Sequence, residues 1–198
     1  MNKNFWILRK NFHPAMQVHG KERWRMKGKS IDIPFQQWMH IMRYEYDYAQ
    51  DEKEFSHNGY ANIIGKTFQY AVECRYDFIP FVKAFLASDI FAYFEQMLSI
   101  YSQSPYHILA AFDNEMLGKG KRMHHLEEEQ TELADVSYWL GYLFMQWKYL
   151  DDANGEELAS QYDIQWMMEQ YEQGTFQKYS IRKAIQATKA KFNFKVLE

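Results

Sequence analysis

The sequence predicts an all-α protein, a multi-helix bundle of about eight helices, and three observations carry that prediction. Apolar residues recur at helical spacing through most of the chain after Pro34, and no convincing period-two run follows that point. Only 4 prolines and 9 glycines punctuate 198 residues, too few turn-formers for a chain of many short strands. Serine and aspartate stand just ahead of several apolar stripes, where their oxygens can cap the first amides of a helix. Aromatics make up 18% of the chain, enough buried surface to offset conformational entropy, so overall disorder is excluded.

Residues 1–33 read as a small irregular or β segment, with Gly20, Gly28 and Pro34 as punctuation. After Pro34, which suits a first helical turn, Phe35, Trp38, Met39, Met42, Tyr46 and Ala49 share one helix face. The polar run QDEKEFSHNG, residues 50–59, reads as a loop. Tyr60, Ile64, Phe68, Ala71 and Val72 begin a second stripe. Ser88 or Asp89 caps a helix with Ile90, Phe94, Met97, Leu98 and Tyr101 inward. Ser104-Pro105 is a cap followed by a first-position proline, opening a helix that buries Ile108, Leu109 and Phe112. LGKGKR is the best internal linker. The longest helix is expected from about His125 to Leu150, with Leu133, Val136, Leu140, Leu143, Phe144, Trp147 and Leu150 on one face and Glu127, Glu128 and Glu129 at its positive end. Asn154-Gly155 is a break, Asp163 caps IQWMMEQY, and Ser180 caps a last helix whose Ile181, Ala184, Ile185, Thr188 and Phe192 share a face.

Three regions follow: a basic segment over 1–33, a helical unit over 34–117, and a second over 118–198, the two units sharing one core. A shift of about 74 residues places Phe68 on Tyr142, Asp89-Ile90 on Asp163-Ile164 and Ala110 on Ala184, which reads as a duplicated helical unit.

The net charge of −3 hides a strong asymmetry. Met1 to Lys29 holds eight basic residues and one acid, Glu22. Met123 to Gln177 holds twelve acids and one base, Lys148. The tail from Lys178 is basic again. Basic ends lying against an acidic body is one reading. A partner surface is the other, because basic-plus-aromatic composition suits nucleic acid and an acidic face suits a basic protein. On the nucleic-acid reading, Arg9, Lys10, Arg23, Arg25, Lys27 and Lys29 neutralise phosphates while Trp6 or Trp24 stacks. No apolar run reaches the roughly 18 residues of a membrane span, and the first ten residues are too polar for a secretory signal, so a cytoplasmic protein is expected. A single cysteine, Cys74, excludes an internal disulfide.

The stretch GKTFQYAVECRYDFIPFVKAFLASDIFAYFE, with Phe85-Leu86-Ala87-Ser88 its most distinctive run, resembles small helical modules of unknown biochemistry, and the segment from VSYWLGYLF to SIRKAIQ resembles a companion module. Such modules are associated with bacterial mobile elements and toxin–antitoxin loci. The resemblance covers residues 60–115 and 136–188. It implies an antitoxin-like or immunity-type inhibitor and transfers no catalytic residue.

No sequence feature by itself identifies a reaction. Glu129, Glu132 and Asp135 are spaced by three and would stack on one helix face. They resemble the carboxylates with which all-α nucleotide pyrophosphohydrolases bind Mg²⁺. Such a site needs a second acidic pair, for which Asp51 and Glu54 are the only upstream candidates. Glu54 and His57 have the spacing of a di-iron motif, but no second copy occurs. His124 and His125 are adjacent and point to different helix sides. Neither a phosphate-binding glycine loop nor a nucleophile elbow is present.

The expectation is therefore a non-enzymatic binding protein without cofactor or metal. Its partner is another bacterial protein, covered through Glu127, Glu128, Glu129, Glu132, Asp135, Tyr138 and Trp139, with nucleic acid as the alternative partner and no membrane. The aromatic excess over Tyr138, Trp139, Tyr142, Phe144, Trp147 and Tyr149 covers more than one helix face. It reads as a central helix packed on most sides, or as an interface that would also fit a homodimer.

Overall fold

Two long helices cross at a pair of glycines, and the other described helices are arranged around that crossing. A computed structural model describes residues 34–36, 52–94 and 104–193. Within them the protein is all-α, with eight α-helices and no named strand. These are α1 (Glu52–Glu73), α2 (Phe78–Leu86), α3 (Asp89–Ala92), α4 (Pro105–Gly118), α5 (Ala134–Asp151), α6 (Gly155–Gln161), α7 (Ile164–Glu172) and α8 (Ile181–Asn193). Short 3-10 turns occupy Thr131–Leu133 and Phe176–Lys178.

The α1–α5 pair makes the most extensive helix contact. A Cβ on Gly141 would lie 2.7 Å from the Ile64 carbonyl oxygen and 2.9 Å from Gly65 Cα. One on Gly65 would lie 2.9 Å from the Tyr138 carbonyl oxygen. Both neighbours are backbone, so only glycine permits this approach. From Val136 to Trp147, every residue of α5 except Tyr138 is buried. The aromatic excess there is core: Trp139 lies against Tyr171 and Phe176 at 5.0 and 5.4 Å between centroids, and Trp147 against Tyr162 at 4.6 Å. In the first half, Phe68, Phe78, Phe81, Phe85 and Phe112 form a second aromatic cluster with edge-to-face pairs such as Phe68–Phe85 at 5.3 Å.

Predicted caps are found where serine and aspartate stood. Ser88 Oγ accepts from the Phe91 amide, Ser104 Oγ from Tyr106, Asp163 Oδ1 from Trp166 and Ser180 Oγ from Lys183. Asn154 is the N-cap of α6 rather than a simple break, and Gly155 begins that helix. A Cβ on Gly155 would collide with the Leu86 carbonyl, so glycine is what lets the start of α6 meet the end of α2.

Two expectations are corrected. The polar run 50–59 is not a loop from Glu52 onward, because α1 begins there. Its polarity is used inside the protein: Asn58, 1% exposed, accepts through Oδ1 from Tyr142 Oη at 3.0 Å and Gln146 Nε2 at 2.6 Å across the α1–α5 interface. A buried polar pair satisfied on both sides is compatible with a helix core, and hydropathy alone cannot anticipate it. The long helix begins at Ala134, not His125. Ahead of it the backbone pairs in extended form with residues 75–77, which uses amides and carbonyls that a helix would need.

The two halves repeat the order long helix, short helix, capped helix, capped helix. A spacing of 76, rather than 74, matches their buried positions. Ala61, Ile64, Gly65 and Phe68 then correspond to Ser137, Leu140, Gly141 and Phe144, all buried. Likewise Ile108, Leu109 and Phe112 correspond to Ala184, Ile185 and Thr188, and cap Ser104 to cap Ser180. The shorter spacing matches letters, pairing Asp89, the first residue of α3, with Asp163, the cap of α7.

The described end of the N-terminal region is tied to the second half. Pro34 bridges Ser180, the Phe35 amide donates to the Tyr179 carbonyl at 2.9 Å, and the Phe35 ring packs 5.3 Å from Tyr142. Phe35 and Gln36 are helical, as the proline suggests. Trp38, Met39, Met42, Tyr46, Ala49, Met97, Leu98 and Tyr101 lie outside the described residues, as does the segment 1–33.

Candidate functional site

The acidic candidates occupy a strap that leaves α4, crosses the α1–α2 corner and enters α5. Its start is a tight exit: Lys119 caps α4, and Gly120 adopts φ 68°, which glycine tolerates without Cβ strain. The strap is then stitched to residues 74–77. The Asp77 amide donates to the His124 carbonyl at 3.0 Å, the Leu126 amide to the Arg75 carbonyl at 2.7 Å, and His125 Nδ1 lies 3.0 Å from the Cys74 carbonyl. The His125 ring sits 4.2 Å from Tyr76, whose hydroxyl donates to Asp113 at 2.6 Å. Burial, reinforced by that hydrogen bond, pushes the Tyr76 phenol far above its ordinary value.

Arg75 is the pivot, and sequence reasoning missed it. It ends α1 in the left-handed region, φ 65°, a conformation glycine usually takes and one that costs a side-chain-bearing residue about 1 kcal/mol. From there its guanidinium donates to the Glu127 carbonyl at 3.2 Å and lies 3.9 Å from the Glu129 carboxylate. An arginine closing a helix leaves no distinctive pattern in a sequence, so no signal could have singled it out.

Glu127, Glu128, Glu129 and Glu132 are exposed, and so is Asp135 in the first turn of α5. Glu132 belongs to the 3-10 turn and Glu129 to the strap, so these two and Asp135 do not share a helix face. The three-carboxylate face expected for Mg²⁺ does not form. Among the described residues no group of three or more His, Cys, Asp or Glu side chains could hold a metal ion. His124 lies 3.6 Å from Asp77 while His125 turns to Tyr76, so the adjacent histidines are separated, though by the extended strap and not by a helix. Glu54 and His57 fall in α1 rather than a loop, and Asp51 lies outside the described residues.

The two aromatic candidates divide. Tyr138 is half-buried, donates to Asn62 Oδ1 at 2.7 Å and packs 6.3 Å from Phe35, with part of its ring still at the surface. Trp139 has no exposed surface and cannot touch a partner in this state. It continues the Val136, Leu140, Leu143 and Trp147 stripe, a clue that it belongs to the core. Its indole N–H finds no hydrogen-bond partner among the described residues. The basic candidates Arg9, Lys10, Arg23, Trp24, Arg25, Lys27 and Lys29 lie outside the described residues.

Comparison with protein-family models, with curated proteins and with solved structures finds no match to the chain. The fold therefore defines the class on its own: an all-α multi-helix protein in which no described helix is long and apolar enough to cross a membrane.

Proposed function

We propose that the chain is a binding protein that acts by covering a basic surface of another bacterial protein, in the manner of an antitoxin or immunity-type inhibitor. The observation that carries this reading is the strap: Glu127, Glu128, Glu129 and Glu132 stand exposed on backbone pinned along the α1–α2 corner, with Asp135 at its end and the Arg75 guanidinium drawn against it. A preformed row of like charge raises the encounter rate with an opposite surface and loses little entropy on docking. The half-exposed Tyr138 supplies an aromatic edge beside the row. The resemblance of residues 60–115 and 136–188 to modules of toxin–antitoxin loci supports the same reading.

The test is an affinity capture from the native host, run in parallel with the natural chain and with a Glu127→Lys, Glu128→Lys, Glu132→Lys variant. One stoichiometric protein retained by the first and released by the second is expected. A partner held equally by both would move the interface elsewhere. Pyrophosphate release from a nucleotide panel with Mg²⁺ or Mn²⁺ would replace the binding reading with a hydrolase reading.

A further inference from the structure

The acidic strap lies on the body without entering its core, and its ties converge on four residues, 74–77. We infer that residues 124–132 are a latch: they open from the α1–α2 corner as one unit while the helices stay folded, and Arg75 is the catch. Met123 and Leu133 pack partly buried against the core and mark the two ends. Between them no residue is fully buried, and only Leu126 and Gln130 are half-buried. Apolar burial is what couples a segment to global unfolding, and this segment has little to lose on opening. One residue supplies three of its ties. The Arg75 carbonyl accepts from the Leu126 amide at 2.7 Å, and the Arg75 guanidinium donates to the Glu127 carbonyl at 3.2 Å and lies 3.9 Å from the Glu129 carboxylate.

Two features of the closed strap favour its release. Gln130 Oε1 is buried and has no hydrogen-bond partner among the described residues, a stranded acceptor that meets water once the strap lifts. Glu127, Glu128, Glu129 and Glu132 fall within six residues, and like charges held so close repel one another. Both features act against the three ties of Arg75, which is why the catch decides the balance. Opening disperses the glutamates and lifts the His125 ring from Tyr76, whose hydroxyl donates to Asp113. The closed and open forms therefore differ in the surface proposed for the partner. That consequence rests on the proposed function. The opening itself does not, and it is measured with no partner present.

The experiment follows amide hydrogen exchange in the full chain at several urea concentrations below the unfolding transition. The Leu126 amide, bonded to the Arg75 carbonyl, reports the latch, and the amides of residues 140–144 in α5 report the crossing. Leu126 should exchange about a hundredfold faster than the α5 amides, at a rate that does not change with urea. Asn58→Ala weakens the crossing, so it should speed the α5 amides about tenfold and leave Leu126 unchanged. Arg75→Ala should speed Leu126 about threefold, the scale of an exposed ionic contact. Gln130→Met removes the stranded acceptor and should slow Leu126 by about the same factor. A Leu126 rate that climbs with urea in step with α5 would overturn the inference. So would equal acceleration of both sets in Asn58→Ala, or an Arg75→Ala rate like that of the natural chain. An affinity capture that finds no partner would strike the acidic face alone, while a urea-independent Leu126 would still support the latch.

Discussion

The two halves of the molecule bury alike and differ in what they show to solvent. α4 and α8 are corresponding helices behind corresponding serine caps. Yet Asp113 and Glu115 on α4 stand where α8 carries Lys189 and Lys191. Each charged set does local work. Asp113 accepts from Tyr76, and Glu115 accepts from the Asp89 and Ile90 amides at the start of α3, with Lys119 2.6 Å away. Lys189 pairs with Asp151 at the end of α5. The lesson is that the fully buried positions of the two halves match in pattern, and the charged positions around them differ in sign.

If the shared crossing is what holds the halves together, breaking it should have the largest effect. Gly141→Ala should destabilise by about 3 kcal/mol or more, because the new methyl meets backbone that cannot step aside. Gly59→Ala on the same helix pair, where nothing lies within 4 Å, should gain about 0.5–1 kcal/mol. Urea denaturation of the two variants measures the contrast, and equal effects would show that the crossing is not the close point.

The polar contact across that interface comes next. Asn58→Ala removes the acceptor that the Gln146 amide uses and should cost about 1–3 kcal/mol. The double variant Asn58→Leu, Gln146→Leu should recover part of that loss, a non-additivity that a denaturation cycle reads directly.

A pH effect belongs to the second half. Burial, aided by nearby Asp135, pushes the Tyr171 phenol from 10.0 to about 12. The folded protein keeps that proton while the unfolded chain releases it. The stability involved is present below pH 10 and lost as pH rises through about 12, on the order of 2 kcal/mol. Tyr171→Phe should flatten the alkaline limb of a plot of melting temperature against pH. An unchanged limb would assign alkaline unfolding to other groups.

The smallest test compares the caps. Ser104→Ala and Ser180→Ala should each cost about 1 kcal/mol, since each serine accepts one first-turn amide at 3.2 Å. A large inequality would mean that one cap carries tertiary work as well.

How legible each region was follows the same division. Stripes such as Ile108, Leu109, Phe112 and Ile181, Ala184, Ile185 are periodic and buried, so the helices could be read from them. The loop reading at 50–59 failed because Asn58 is polar but satisfied inside, a property of its distant partners Tyr142 and Gln146. The early start given to α5 failed because acidic residues at the head of a stripe look like a helix start. The pairing that keeps 124–126 extended comes from residues about fifty positions earlier. Of the acidic surface, exposure was legible from composition and the burial of Trp139 from its place on the Val136, Leu140, Leu143 and Trp147 stripe, while the contact of Arg75 with the strap was set by tertiary packing.

The tie between Phe35 and residues 138–180 also bears on the order of events during synthesis. Phe35 gains its cover only when Tyr138, Tyr142 and Tyr179 exist, about 145 residues later in the chain, and at ribosomal rates that delay is roughly ten seconds or more. Through that interval Pro34 and Phe35 lack their partners and α1 has no α5 to cross. The first half must wait for, or be chaperoned until, the second. Joining ends so distant adds to the contact order that the α1–α5 crossing already raises, and a slow final docking phase in refolding is its kinetic counterpart.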